Sequence, residues 1–299
     1  MVLINENEEI KRMVYEISYA DEKFAEAQKF HVKMAQKHGG FDTVIAYGKD
    51  MLDEEFKERN KDILALPRGG YWIWKPHIIN MTLERMEEND YLFYVDAGAV
   101  ILHPVKKLIS VMEKNKDDIM VFAVYGRTEE EYTKRDVFTY FSYETEECLN
   151  SDQIMSGFIL IKKNAKTVKI FREWETACEH SNLLLDGENT ISEGKINFPR
   201  FKEHRHDQSI LSVLLKKNGV EPYRDPSQWG LFEGVRYRQK RLRRPVDYKI
   251  CKKSKYPEMM FFLHRNYTFN PSGSIEFCKY IVRVYLEYLQ YWYDLDKQV

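Results

Sequence analysis

Residues 90–96 read Asp-Tyr-Leu-Phe-Tyr-Val-Asp, an unbroken apolar and aromatic run closed at each end by a carboxylate. A run with no polar alternation marks a strand covered on both faces, as in sheets layered between helices. Residues 13–19, 43–47, 120–124 and 157–161 have the same strand character. Helical patterns lie between them. Asp21 is placed to cap a helix over 22–38 that stops at Gly39-Gly40, and a charged helical segment covers 50–61. Over 76–88 a third helix carries the buried stripe Ile78, Ile79, Leu83 and Met86. Strands alternating with helices predict a mostly parallel, right-handed α/β sheet flanked by helices.

In such a sheet, ligands bind beyond the carboxyl ends of the strands. Asp96 stands at the end of the most apolar strand, followed at once by Ala97-Gly98. A carboxylate there can hold a divalent cation or a ribose hydroxyl against a nucleotide diphosphate. A strand-end Asp without a ligand is the plain alternative, and the residues alone leave both open. Asp207-Gln208 pairs a carboxylate with an amide, groups that can steady positive charge at a sugar carbon or take a hydroxyl proton. The same Asp207 is placed to cap a helix whose buried face is Ile210, Leu211 and Leu214. Asp152-Gln153 is a second, less favoured copy of the dipeptide just before Ser156-Gly157. His204 and His206 are capable of metal ligation, but a His-x-His beside basic residues reads as surface. Arg68 and Lys75 are cations suited to meeting phosphate. In Tyr71-Trp72-Ile73-Trp74, alternation predicts one aromatic set packed inward and one free to stack on a sugar. Ser18 and Tyr19 end the first strand, where Tyr19 is placed to stack on a nucleotide base.

The segment Tyr94-Val95-Asp96-Ala97-Gly98 resembles a variant of the DxD motif of GT-A glycosyltransferases. Residues 68–76, Arg-Gly-Gly-Tyr-Trp-Ile-Trp-Lys-Pro, resemble a segment of bacterial capsule and lipopolysaccharide sugar transferases. Met155-Ser156-Gly157-Phe158-Ile159-Leu160 is similar to the strand that lines donor and acceptor sugar in retaining members. His206-Asp207-Gln208-Ser209-Ile210-Leu211 is similar to an element of the galactosyl- and glucosyltransferases related to glycogenin. Leu263-His264-Arg265 falls where such enzymes place a late histidine metal ligand. The motifs keep their order over residues 13–270. The resemblance implies a Rossmann-like GT-A domain, with a mixed, mostly parallel central sheet flanked by helices, that moves a hexose from a UDP-sugar to a bacterial surface glycan, with retention. It implies catalytic roles for Asp207 and Gln208, and donor contacts from Ser18, Tyr19, Arg68, Lys75, Asp96 and Gly98. Trp74, Ser156 and Gly157 fall to the acceptor and sugar, and Asp96 with His264 to a Mn²⁺ or Mg²⁺ ion. Where the pattern ends in a second Asp, this chain has Gly98. Either Asp96 and His264 share the cation with the diphosphate, or basic residues alone neutralise the leaving group.

A formal net charge of -1 points to no polyanionic partner, yet residues 236–255 carry ten Lys and Arg against Asp247 alone. Such a run is ordinarily a solvated loop; beside an aromatic helix it can also dock on an anionic membrane surface. No nucleic-acid-binding module is recognisable, so no nucleic acid is expected. Residues 275–293 pattern as a helix that is apolar around most of its circumference and needs a cover, from the domain, a second copy or a membrane. The division expected is 1–270 for the catalytic domain and 271–299 for this helical extension. Four cysteines without metal or CxxC spacing, and a first segment unlike a signal peptide, predict a cytoplasmic protein, and the basic run with the aromatic helix are the features that could hold it at the inner face of the membrane. A nucleotidyltransferase would need a Gly- and Lys-rich loop after the first strand, where this chain has Tyr19-Ala20-Asp21. A non-catalytic glycan- or nucleic-acid-binding module is the rival from outside enzymes.

Overall fold

In the computed structural model of the chain, residues 12–228 and 259–264 are described, with positions 271, 275, 276, 278, 279, 281, 282 and 286. The buried run becomes a central strand. The strands in chain order are β1 (Val14–Tyr19), β2 (Thr43–Tyr47), β3 (Tyr91–Val95), β4 (Ala99–Ile101), β5 (Ile119–Met120), β6 (Ala123–Thr128), β7 (Asp152–Ile154), β8 (Phe158–Lys162) and β9 (Phe261–Leu263). The main sheet has the order β2-β1-β3-β8-β5, and β4-β9 and β6-β7 form two-stranded ribbons. β1 pairs in parallel with both β2 and β3, whereas β8 runs antiparallel to β3 and β5. The result is the mixed, mostly parallel Rossmann-like sheet with helices against it.

All five residues of β3 are buried, and they alternate between two cores. Leu92 and Tyr94 pack with Ile78, Ile79 and Trp174 on one face; Tyr91, Phe93 and Val95 pack with Leu108 and Met112 on the other. At about 1.5–3 kcal/mol for each large apolar side chain taken from water, this strand alone contributes substantially to folding. The chain leaves β1 for β2 on one side and then returns to β3 on the other. That reversal is a topological switch point, the place outside the carboxyl ends of β1 and β3 where sheets of this kind bind ligands.

Several expected elements came out differently. The helix over 22–38 is a 3₁₀ turn capped by Asp21, then the α-helix Ala25–Met34, then a π turn Ala35–Gly39. Residues 50–61 are not one helix but the short pieces Lys49–Met51, Glu54–Arg59 and Lys61–Leu64. The strand over 120–124 is split, because Val121 and Phe122 leave the main sheet and β6 pairs with β7 instead. Tyr71-Trp72-Ile73-Trp74 does not alternate as a strand at all. Arg68, Gly69, Gly70, Tyr71 and Trp72 all have positive φ, and the helix Trp74–Arg85 starts directly after them.

Among the described residues no helix is long and apolar enough to cross a membrane. Cys148 and Cys178 are free and buried. The basic run 236–255 lies outside the described residues, as does most of the 271–299 extension, whose Ile281 packs beside Phe30, Val100 and Phe262.

Candidate active site

Asp96 follows β3 directly, and three backbone bonds fix the turn that carries it. Its amide donates to the Gly157 carbonyl at 2.9 Å, its carbonyl accepts from Ala99 at 3.0 Å, and Gly98 O accepts from His264 N at 2.9 Å. The last bond is an extension of the β4–β9 ribbon, so the ribbon is what brings His264 beside the turn. A side chain at residue 98 would begin 3.0 Å from the His264 carbonyl oxygen, which explains a glycine there. At Gly157 the constraint comes from chemistry: a Cβ would lie 2.8 Å from Asp96 Oδ2. The carboxylate therefore occupies the space that Gly157 leaves open.

Lys75 joins this carboxylate to the second acidic motif. Its Nζ lies 3.4 Å from Asp96 Oδ1 and 3.2 Å from Asp207 Oδ2. It also donates to the Ser156 hydroxyl at 3.1 Å and the Ser156 carbonyl at 3.3 Å. The side chains of Lys75 and Asp207 are each 3% exposed, whereas that of Asp96 is 46% exposed. The cluster thus has a buried floor and a carboxylate open to solvent. Burial pushes the Asp207 carboxyl up, with Lys75 and Ser156 pulling the other way. Burial alone would lower the Lys75 ammonium, but Asp207 and Asp96 outweigh it and hold the lysine above its ordinary value. Tyr94 reaches up from the core and donates to Asp96 Oδ1 at 2.7 Å.

Two strained segments meet here. Three non-glycine residues, Arg68, Tyr71 and Trp72, hold positive φ in the turn before Lys75, at roughly 1–2 kcal/mol each. Gly70 is needed within it, since a Cβ would lie 2.7 Å from the Ile63 carbonyl oxygen. His206, just before Asp207, also has positive φ, at 51°. The Tyr71 ring packs on His206 with centroids 4.3 Å apart. Strain of this kind persists where surrounding structure over-determines it, and such places are often functional. The Trp174 indole supplies part of that support by donating to the Asp207 carbonyl at 3.0 Å.

No known family profile matches the sequence, and no curated protein matches it. Solved structures do. The chain is similar to mouse xyloside xylosyltransferase 1, at 9% identity over 86% of this chain and 100% of that one, with a TM-score of 0.45. It is similar to the glycosyltransferase GlyE of Streptococcus pneumoniae, at 11% identity over 87% of this chain and 55% of that one, TM-score 0.42. A third is the galactosyltransferase LgtC with donor and acceptor sugar analogues, at 12% identity over 84% of this chain and 87% of that one, TM-score 0.43. Likenesses this loose carry no assignment. The chemistry rests on the chain's own side chains.

The remaining sequence candidates fall as follows. Asp207 is not a helix cap: Arg205 holds that position, and Asp207 sits in the first turn of the helix His206–Lys217, turned to Lys75. His204 and His206 are buried rather than on the surface, bonded to the carbonyls of Leu183 and Leu184. Trp74 turns inward and stacks on Tyr19 with centroids 3.7 Å apart. The Ser18 hydroxyl is buried with no hydrogen-bond partner among the described residues. Arg68 is exposed, its guanidinium 5.0 Å from the Trp72 ring centroid. Gln208 is partly exposed and bonds Gln153.

Sequence reasoning passed over one supporting pair. Glu16, an acid inside β1, accepts from or donates to His31 Nε2 at 2.8 Å, and His31 Nδ1 lies 2.7 Å from the Ala99 carbonyl oxygen. Both side chains are fully buried behind the Asp96 turn. An acid at an inward position of an otherwise apolar strand was the signal available.

Proposed function

We propose that the chain is a GT-A-type glycosyltransferase that moves a hexose from a UDP-sugar to a bacterial surface-glycan acceptor with retention at the anomeric carbon. One observation carries the reading: a solvent-open Asp96 and a buried Asp207 are bridged by a single lysine, beyond the strand ends at the sheet's switch point. In this reading Ser18 and Tyr19 hold the nucleotide end. Arg68, Lys75, Asp96 and the Gly98 turn serve the diphosphate, and Ser156 and Gly157 line the sugar and acceptor side, with the inward-turned Trp74 packed behind Tyr19.

Transfer breaks the bond between the anomeric carbon and the phosphate oxygen, and the electron pair leaves with the diphosphate. Positive charge grows on the sugar ring. Asp207, held rigid by Lys75 and Trp174, and the Gln208 amide are the groups that stabilise it. The acceptor hydroxyl attacks the face that the diphosphate vacates, and its proton passes to a departing phosphate oxygen. Among the described residues no three His, Cys, Asp or Glu side chains converge as a metal cluster. In this reading Asp96 and His264 are the residues that would hold a Mn²⁺ or Mg²⁺ ion. Bound there, it would neutralise charge on the leaving diphosphate.

The test is a panel of nucleotide sugars with Mn²⁺, read by thermal shift and by release of UDP. Wild-type protein is expected to be stabilised by UDP with Mn²⁺ and to consume one donor. Asp96→Ala should lose at least about a hundredfold in turnover while keeping its fold. No nucleotide response at all, or full turnover in that variant, overturns the reading. A preference for oligonucleotides would instead favour a binding module. Gly157→Ala is expected to push the Asp96 carboxylate aside and weaken donor use about tenfold, with little loss of stability. Comparing donor KM and the unfolding midpoint of the two proteins checks it.

A further inference from the structure

Gln153, the middle residue of β7, is fully buried, and its carboxamide joins two parts of the protein. Its Nε2 lies 3.1 Å from the Tyr132 carbonyl oxygen, 3.0 Å from Thr133 Oγ1 and 3.1 Å from Ser209 Oγ. Its Oε1 lies 2.8 Å from Gln208 Nε2.

Which end of this amide faces which neighbour follows from counting protons. A main-chain carbonyl can only accept. The Thr133 hydroxyl gives its one proton to Glu129 Oε2 at 2.6 Å. The Ser209 hydroxyl gives its proton to the Tyr132 carbonyl at 2.7 Å while accepting from the Arg205 amide at 3.0 Å. All three neighbours of that end are therefore acceptors, and only the NH₂ of Gln153, with two protons shared among the three, can face them. Glu129 fixes the start of the chain: it is buried, held by Lys216 Nζ at 2.6 Å and by the Ser212 hydroxyl, and has only acceptor oxygens to offer Thr133. The Gln153 oxygen must then face Gln208, and only an NH₂ group can satisfy it. The Gln208 carboxamide is left with its nitrogen turned to Gln153 and its oxygen turned away.

We propose that Gln153 is a positioning residue that fixes the flip of Gln208, so that the amide oxygen and not the amide nitrogen is presented to the sugar. This rests on the proposed role of Asp207-Gln208 in hexosyl transfer. The difference is one of sign. The carbonyl oxygen carries partial negative charge and steadies a growing oxocarbenium ion, whereas the NH₂ group opposes it. Gln208 is partly exposed and free to rotate without its anchor, so the buried relay from Glu129 does what the local helix cannot.

Two variants test it, each with donor KM, kcat, UDP binding and a pH profile. Gln153→Met keeps the length and removes the anchor. Its kcat is expected to fall by about ten- to a hundredfold, with UDP affinity and donor KM unchanged. In Gln153→Glu the protonated carboxyl repeats the native pattern, donating to Tyr132 and accepting from Gln208. Ionised, it sets an acceptor against acceptors. Turnover of this variant is therefore expected near the wild-type level at acid pH and lost as the buried carboxyl ionises, a pH dependence that wild-type protein lacks. Should Gln153→Met fail to fold, the profile of Gln153→Glu decides. Wild-type kcat in Gln153→Met, or a Gln153→Glu profile that parallels wild type, overturns the proposal while the sugar-transfer reading stands. A wild-type protein that consumes no nucleotide sugar overturns that reading instead.

Discussion

Lys75→Met is expected to abolish the proposed sugar transfer and to cost about 3–5 kcal/mol of stability, the usual penalty for orphaning one side of a buried ion pair. The substitution keeps the length of the side chain and removes its charge. Asp207 would then be buried, 3.2 Å from a vacated ammonium position, with only Ser156 left to bond it. Burial already pushes that carboxyl up, so without Lys75 it would take a proton and become neutral. Asp96 would lose the cation 3.4 Å from its Oδ1. Turnover is expected to drop at least about a thousandfold, since Asp207 loses its charge and Asp96 its neighbouring cation in one step. The double variant Lys75→Met with Asp207→Asn separates the two effects. It should recover most of the stability, because no unpaired charge remains, yet stay inactive. Denaturant unfolding and donor turnover on both proteins decide the matter, and an active single variant would exclude Lys75 from the chemistry.

Acid should weaken the fold through His204. Its ring is buried, Nε2 donates to the Leu183 carbonyl at 2.8 Å, and Nδ1 accepts from the Lys134 amide at 3.2 Å. That arrangement needs the neutral tautomer. Burial first, then the neighbouring His206, lowers its pKa from 6.5 to about 3. The sign follows directly. Between those values the unfolded chain holds a proton that the folded one refuses, so stability is fully present above pH 6.5 and is lost as the pH falls towards 3. The slope is about 1.4 kcal/mol per pH unit for this one group, or roughly 3 kcal/mol across two units. His204→Gln can offer an oxygen to the Lys134 amide and an NH₂ to Leu183 without titrating. Unfolding midpoints at neutral and acid pH should therefore diverge for wild type and converge for the variant. Equal slopes in the two proteins would refute the assignment.

The central strand, the class of fold and the two acidic motifs were legible because short-range chemistry writes them. Five apolar residues ended by Asp96 have few folds open to them, and Asp207-Gln208 opening an apolar helix is a local pattern. The Asp207 misreading shows the limit. From spacing alone it is a cap, yet the positive φ of His206 turns it inward to meet a lysine more than a hundred residues earlier in the chain. His204 and His206 were misplaced for the same reason: neighbouring basic residues suggested solvent, while Leu183 and Leu184 supply buried carbonyls from another segment.

What the sequence by itself determined is which residue types are present and which strands must be buried, since periodicity and burial are properties of neighbours along the chain. Tertiary structure alone decided that β3 lies between β1 and an antiparallel β8, that Gly157 clears room for Asp96, and that Lys75 joins two carboxylates. It also decided that a relay starting at Glu129 sets the orientation of Gln208. These are contacts between distant segments, and their energies depend on distance and desolvation, which no linear pattern encodes.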